Sequence, residues 1–479
     1  MLSEELIKLI HDIQDMKCEM QSVELKKANG GAPHRLYDTL SAFSNQSGGG
    51  TIVFGVDEEN NYEICGVYDP QDLQVKVTAQ ANQMHPVVRP LFTIAKIGDK
   101  TIVSAEIAEC DIFDKPCYYT GAGKLRGSYI RVGEADMPMT DYEIYSYEAF
   151  KRKINDELRI AGDGIGTTIN NNELNLFFAK IKVKKPNLNT LSDEDILTLS
   201  GIHSDSKLTM AGLMLFGAYP QALFPQLCIT AVVIPGNEMG ATSDDNARFI
   251  DNKRIEGTIP QMLDGAISFV HRNIRVKTII DDNGRRADIP EYPIKAIREL
   301  ILNALIHRDY SINTEGSPVR ILMFSNRFVI ENPGGLYGRL TIDNLGKVGA
   351  DTRNPYIASA LEIMIDTENR FSGIPTIRHE MEKAGLRPPI FESIRGVFRA
   401  TLLNDESDDD LKEDKDTDAK ILSFCKQPRS REELSGLLGL SSVSYLVGKY
   451  ITPLIESGKL RMMIPDKPRS KKQRYKTAI

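Results

Sequence analysis

Glu299, Asn303 and His307 are spaced i, i+4, i+8 within the segment Tyr292–Tyr310. On a helix that spacing puts an acid, an amide and an imidazole on one face over two turns. The amide oxygen can take a position on Mg²⁺, and the carboxylate can accept a proton from an attacking water. The same spacing also fits a solvated polar stripe on an amphipathic helix. A second set of acids, Glu19, Glu24 and Asp57, lies near the N-terminus. If the chain around 22–27 pairs with that around 51–57, these three carboxylates and Lys26 converge. Such a cluster can hold a divalent cation and align water against a phosphodiester. The alternative is acids merely exposed at strand ends.

These residues need elements to hold them. Residues 292–310 read as the clearest helix in the chain, with Pro293 near its start and apolar residues recurring every three or four positions. Strands are expected at Val319–Ser325 and Arg327–Glu331, ending in the turn Asn332-Pro-Gly-Gly335. Residues 1–17 read as an amphipathic helix with Leu6, Ile7, Leu9, Ile10 and Ile13 in its stripe, followed by a strand at Val23–Lys27. A helix carrying Leu36, Leu40 and Phe43 then leads through Asn45 and a triple-glycine turn into a buried strand ending at Asp57. Ser128–Gly133 is strand-like, residues 141–200 are mainly helical, and Met210–Gly217 and Cys228–Ile234 are read as apolar strands. The fold class is α/β, in the α+β multidomain sense.

Composition bounds the function. The chain has 479 residues, enough for two to four domains at about 100–200 residues each. Hydrophobic content of 41% and charged content of 26% exclude a disordered or fibrous chain. A net charge of −7 excludes a uniformly basic nucleic-acid binder, though not a local basic surface. The six cysteines are scattered without metal-knuckle or redox spacing, and His34, His85 and His379 show no ligand spacing. A soluble, cytoplasmic protein without membrane association is expected. Residues 404–418 carry nine acids and two lysines, a flexible linker by composition, whereas 419–479 carry thirteen Lys/Arg and four acids, a net of +9.

Two resemblances add to this reading. Glu-Leu-Ile-Leu-Asn-Ala-Leu-Ile-His-Arg-Asp-Tyr310, then Arg-Phe-Val-Ile-Glu-Asn-Pro-Gly-Gly335, then Asn-Arg-Phe-Ser-Gly-Ile374 resemble Bergerat-fold (GHKL-type) ATPases, in the variant known as the C-terminal part of RecG-like regulators. The resemblance implies ATP with Mg²⁺ as cofactors, Glu299 as catalytic residue, Asn303 on the metal and His307 in the pocket. It also implies a first glycine box at Asn332, Gly334 and Gly335 and a second at Ser372 and Gly373. Asn332 stands where kinase and gyrase-type members place the Asp that reads the adenine amino group, and the second box keeps one glycine. No G-x-x-x-x-G-K-[ST] occurs, which excludes a RecG helicase motor; Gly121-Ala-Gly123-Lys124 is only a look-alike.

Cys-Glu-Met-Gln-Ser-Val-Glu-Leu-Lys-Lys27, then Leu40-Ser-Ala-Phe-Ser-Asn-Gln-Ser-Gly-Gly-Gly-Thr-Ile-Val-Phe-Gly-Val-Asp57 and Ser128–Met139 resemble the Schlafen-type AlbA-like domain, with Leu25 where an aromatic residue is common. This implies nucleic-acid binding, with Lys26, Lys27, Arg35, Arg126 and Arg131 as candidate phosphate contacts. In Schlafen nucleases it also implies catalysis by acids matching Glu19, Glu24 and Asp57. Residues 419–479 resemble a winged helix in order and length, with a capping box at Ser430 and Glu433, a helix at 442–457, and a hairpin pairing 460–464 with 474–477. Arg469, Lys471, Lys472 and Arg474 are its candidate DNA contacts. The expected domains are 1–145 (AlbA-like), 146–204 (connector), 205–403 (Bergerat-type α/β sandwich), 404–418 (linker) and 419–479 (winged-helix-like). Three functions stay open: an ATP-binding regulator of transcription that binds nucleic acid (DNA favoured, RNA possible), an ATP-gated, metal-dependent nuclease, and a non-catalytic scaffold. A homodimer is expected from the family resemblance alone.

Overall fold

The computed structural model describes residues 1–162, 168–243, 246–280, 286–349, 351–365, 373–404, 420–438, 450–456, 459–463 and 473–477. Ser372, Arg469, Lys471, Lys472, the linker beyond Asn404 and most of the expected helix 442–457 lie outside these residues. The fold is mixed α/β and multidomain.

The first sheet has four strands in the order Val23–Lys26, Gly50–Phe54, Lys100–Ile107, Leu91–Ile97, the first pair parallel and the others antiparallel. Strand alternation sorts its side chains between two cores. Ile52 and Phe54 join Leu40 and Phe43 of the helix Tyr37–Asn45, while Val53, Val23 and Leu25 join Leu6, Ile10 and Ile13 of the helix Ser3–Met16. Asn45 does more than shape a turn: its buried amide donates to the carbonyls of Cys117 (2.9 Å) and Tyr129 (3.0 Å) and accepts from Cys117 N (2.7 Å).

The second sheet has six strands in the order Asp251–Ile255, Ile229–Val233, Val319–Met323, Arg327–Pro333, Val397–Leu403, Ile390–Ile394. All its pairs are antiparallel except Ile229–Val233 with Val319–Met323. The helix Ile294–His307 buries Ile297, Leu300, Ile301 and Leu305 in one core with Ile321, Phe328, Ile330 and Leu402. At roughly 1.5–3 kcal/mol per buried aliphatic side chain, that face fixes how the helix is turned. Met210–Phe216, expected as a strand, is a helix with every residue buried, and Thr209 caps it by accepting from Gly212 N at 3.0 Å. A short unbroken apolar run has no period to separate the two forms.

In the C-terminal part, the helix Arg431–Leu438 begins with the expected reciprocal bonds between Ser430 and Glu433, and Leu460–Met462 pairs with Tyr475–Thr477. Ile421, Cys425, Leu434, Leu460 and Tyr475 share a small core.

Glu157 ties the connector to the second unit. Its carboxylate, 0% exposed, accepts from Tyr356 N (3.0 Å) and Ile357 N (2.9 Å) in the first turn of the helix Pro355–Met364. Those donors have no partner within the helix. Glu157→Ala should therefore destabilise the protein by about 2–4 kcal/mol, read as a lower midpoint in urea unfolding.

Candidate functional site

The face of Ile294–His307 opposite its deepest apolar contacts carries Glu299, Asn303 and His307, and all three line a cavity of about 160 Å³. Asn332, at the end of the strand Arg327–Pro333, lines it too, with Gly334 and Gly335 just beyond and Gly373 at the start of the helix Gly373–Lys383. The polar stripe faces a pocket, not bulk water. Ser372 lies outside the described residues.

Two of these glycines are sterically required. Gly334 has φ +109°, and a Cβ there would overlap the Arg353 guanidinium and stand 2.8 Å from Asp309 Cβ. A Cβ on Gly373 would stand 2.7 Å from Asn303 Nδ2. A side chain at 334 would run into the groups behind the turn, and one at 373 would press on the Asn303 amide that lines the cavity.

Burial holds the Glu299 carboxyl above the usual carboxylate range, with Arg298 and Lys295 opposing. Burial, helped by nearby Arg353, pushes the His307 imidazole down to about 4, so it is neutral at physiological pH. Asn303 Nδ2 and Asn332 Oδ1 are buried without a hydrogen-bond partner. An unmade bond of this kind costs roughly 1–3 kcal/mol. Two such amide atoms at one cavity fit a polar ligand that completes them.

Behind the glycine turn stands a cluster that sequence reasoning missed. Asp309 accepts from Tyr142 Oη (2.6 Å) and Ser311 N (2.8 Å) and lies 3.5 Å from Arg353 Nη1. Arg353 donates to the Gly335 carbonyl (3.3 Å) and lies over the Tyr337 ring. Asn354 donates to the carbonyls of Ile306 and Arg308, both at 2.7 Å, closing the end of the site helix. The available signal was Asp351-Thr-Arg-Asn-Pro355, charged residues running into an Asn-Pro helix start.

Near the N-terminus the strands Val23–Lys26 and Gly50–Phe54 do pair, with Glu24 opposite Ile52. The carboxylates do not converge on a cation position. Arg131, 4% exposed, takes Glu24 at 2.7 Å, Asp136 at 2.9 Å and Glu19 at 3.6 Å, while Asp57 pairs with Lys27 at 2.5 Å and Lys26 with Glu24. Among the described residues no group of three or more His, Cys, Asp or Glu is placed to hold a metal ion. Arg131, expected at phosphates, is committed to these acids instead, because a buried guanidinium needs its counter-charges close. Arg126 is exposed, Lys27 and Arg35 are exposed while pairing with Asp57 and Asp38, and Arg474 is exposed with a bond to the Pro428 carbonyl. A larger cavity of about 1210 Å³ lies between the two units, with Asn45, Lys115 and Arg131 on one side and Gly335, Leu336 and Arg339 on the other.

Burial pushes the Glu19 carboxyl from 4.5 up to about 7, against the pull of Leu25 N and Arg131. The folded state therefore keeps a proton that the unfolded chain releases between those values, and the associated stability is lost as pH rises through about 7. Raising the pH from 4.5 to 7 should favour Glu19→Gln over the wild type in paired urea unfolding; a difference that does not move with pH would contradict a buried, protonated Glu19.

Three family models match parts of the chain. Residues 19–140 match the family model Schlafen, AlbA_2, and residues 316–402 match HATPase_c_4, the ATP-dependent DNA helicase recG C-terminal model. Residues 419–478 match the C-terminal domain of the Fic-like proteins (filamentation induced by cAMP). The second match contains Asn332, both glycines of the turn and Gly373, and begins after the site helix. No curated protein matches the chain. Among solved structures, the DIP2311 protein from Corynebacterium diphtheriae is 18% identical with a TM-score of 0.41, covering 95% of this chain and 93% of its own. The N-terminal domain of a RecG-related protein from Nitrosomonas europaea is 26% identical with a TM-score of 0.23, covering 28% of this chain and 92% of its own. The chain joins a Schlafen AlbA-type domain to an ATPase-like domain of the RecG C-terminal type.

Proposed function

We propose that the protein is a nucleic-acid-binding transcriptional regulator whose conformation, and homodimer state, are set by ATP and Mg²⁺ in the Glu299–Asn303 pocket. The observation that carries this reading is the meeting of Glu299, Asn303, His307, Asn332, the turn at Gly334 and the helix start at Gly373 around one cavity with two unpartnered amide atoms. Asn303 would hold Mg²⁺, which when bound neutralises phosphate charge. The backbone at Gly334 and Gly335 can approach phosphates closely. Glu299, with its raised pKa, is suited to accept a proton from water.

Contacts of the helix Asp141–Arg152 support control of one unit by the other. Phe150 packs edge-on against Tyr337 of the pocket wall (5.4 Å between ring centres) and against Phe113 of the first unit (5.3 Å), while Tyr142 bonds Asp309. A nucleotide that binds two arrangements of Tyr337 unequally shifts their populations, and this helix carries the shift onward. Exposed Lys27, Arg35 and Arg126, and the basic residues 419–479, supply phosphate contacts, DNA being favoured over RNA. Arg131 between Glu19 and Glu24 favours this reading over the metal-dependent nuclease.

Calorimetry with Mg²⁺ should give ATP binding that Asn303→Ala weakens at least about tenfold and Glu299→Gln largely spares, a factor of ten being about 1.4 kcal/mol. Absence of ATP affinity in the folded wild type would overturn the reading. Anisotropy with labelled DNA and tRNA should show salt-sensitive binding that responds to ATP in the wild type but not in Phe150→Ala. Cleavage of either substrate, abolished by Glu24→Ala, would select the nuclease instead.

A further inference from the structure

The strands Val276–Ile280 and Arg286–Pro290 precede the helix Ile294–His307 and, among the described residues, pair only with each other, Val276 opposite Pro290 and Thr278 opposite Asp288. Alternation puts Val276, Thr278 and Ile280 on one face of this ribbon and Lys277 and Ile289 on the other. Both faces are open: Val276 is 53% exposed, Ile280 74% and Ile289 45%. A two-stranded ribbon with no covered face is marginal in water, and a further strand stabilises it. The two edges differ. Arg286–Pro290 carries two charges and a proline that cannot donate to another strand, features that keep an edge unpaired. Val276–Ile280 has a single charge, Lys277, and β-branched residues at 276, 278 and 280.

We infer that Val276–Ile280 pairs with its own copy, antiparallel about a two-fold axis at Thr278, so that a second molecule of this chain completes a four-stranded sheet. This deepens the homodimer part of the reading above and rests on it. In that register Val276 meets Ile280 of the partner subunit, Thr278 meets the partner's Thr278, and Lys277 falls opposite position 279 instead of a second lysine. The order Val, Thr, Ile on one face reads alike in both directions, and this symmetry selects a second copy over an unrelated strand. Charge does not oppose it, because Arg286 Nε lies 3.0 Å from Asp288 Oδ1 on that same face. The base of the ribbon is tied to the pocket. Arg275 Nε and Nη2 both donate to Glu291 Oε2, at 3.0 and 2.8 Å, Tyr292 is buried against Phe328, and the helix bearing Glu299 starts at Ile294. A shift of that helix moves the pairing edge with it.

The test is sedimentation of the full chain over a concentration series, with and without ATP and Mg²⁺, with folding checked by circular dichroism and ATP affinity by calorimetry. The wild type should form a dimer, and the double variant Val276→Lys, Ile280→Lys should raise its dissociation constant about tenfold or more while keeping the fold and ATP binding. In a Cys18→Ser background, which removes an exposed thiol, Thr278→Cys should form a disulfide between protomers on oxidation, whereas Lys277→Cys, offset from its own copy, should not. A dimer that the folded double variant leaves intact, or cross-linking at 277 as readily as at 278, overturns the inference while leaving a homodimer in place. Assemblies larger than a dimer overturn the two-fold register. A wild type that stays monomeric with and without ATP overturns both the inference and the homodimer reading, and its ATP affinity then shows separately whether nucleotide binding stands.

Discussion

Close backbone approach at Gly334 and Gly373 is the constraint on which the pocket depends. Helix Ile294–His307 buries one face among Ile321, Phe328, Ile330 and Leu402, and that fixes its rotation. Its other face is then met by the chain at 334 and 373, which comes close only without a side chain of its own. Gly334, with positive φ against Arg353 and Asp309, and Gly373, against the Asn303 amide, meet that condition. Asn354 closes the C-terminal end of the helix by donating to the carbonyls of Ile306 and Arg308, which holds the His307 end of the polar stripe in place.

The two sets of acids meet different fates, and the difference is one cation. Burial raises the carboxyls of both Glu299 and Glu19. Glu299 has no ion-pair partner among the described residues and faces a cavity; Glu19 and Glu24 face the buried guanidinium of Arg131. A charge buried in such a group is stable only while its partners remain. The helix Asp141–Arg152 lies between these two environments, touching Phe113 through Phe150 on one side and Asp309 through Tyr142 on the other.

Local pattern carried much of the architecture. The three- and four-residue recurrence over 294–307 and the alternation at 23–26 are properties of neighbouring residues, and the elements formed there. Met210–Phe216 went the other way because seven consecutive apolar residues suit a buried helix and a buried strand equally, and only the small signal of Thr209 as a cap separated them. Asp309, Arg353 and Tyr142 gave still less warning: each is an ordinary polar residue until the fold brings it to the others.

The sequence by itself determined the helix that carries Glu299, Asn303 and His307 and the glycine turn that follows Asn332. These follow from periodicity and backbone freedom, which act over a few residues. Only the tertiary structure decided that Glu299, Asn303 and His307 would line a cavity while Glu19 and Glu24 would face Arg131. Arg131 is 108 residues from Val23, whose carbonyl it also holds, and no local pattern records which distant charge will fill a buried position. Ion pairing and cavity formation depend on distances through space, and those are set when the sheets and helices pack.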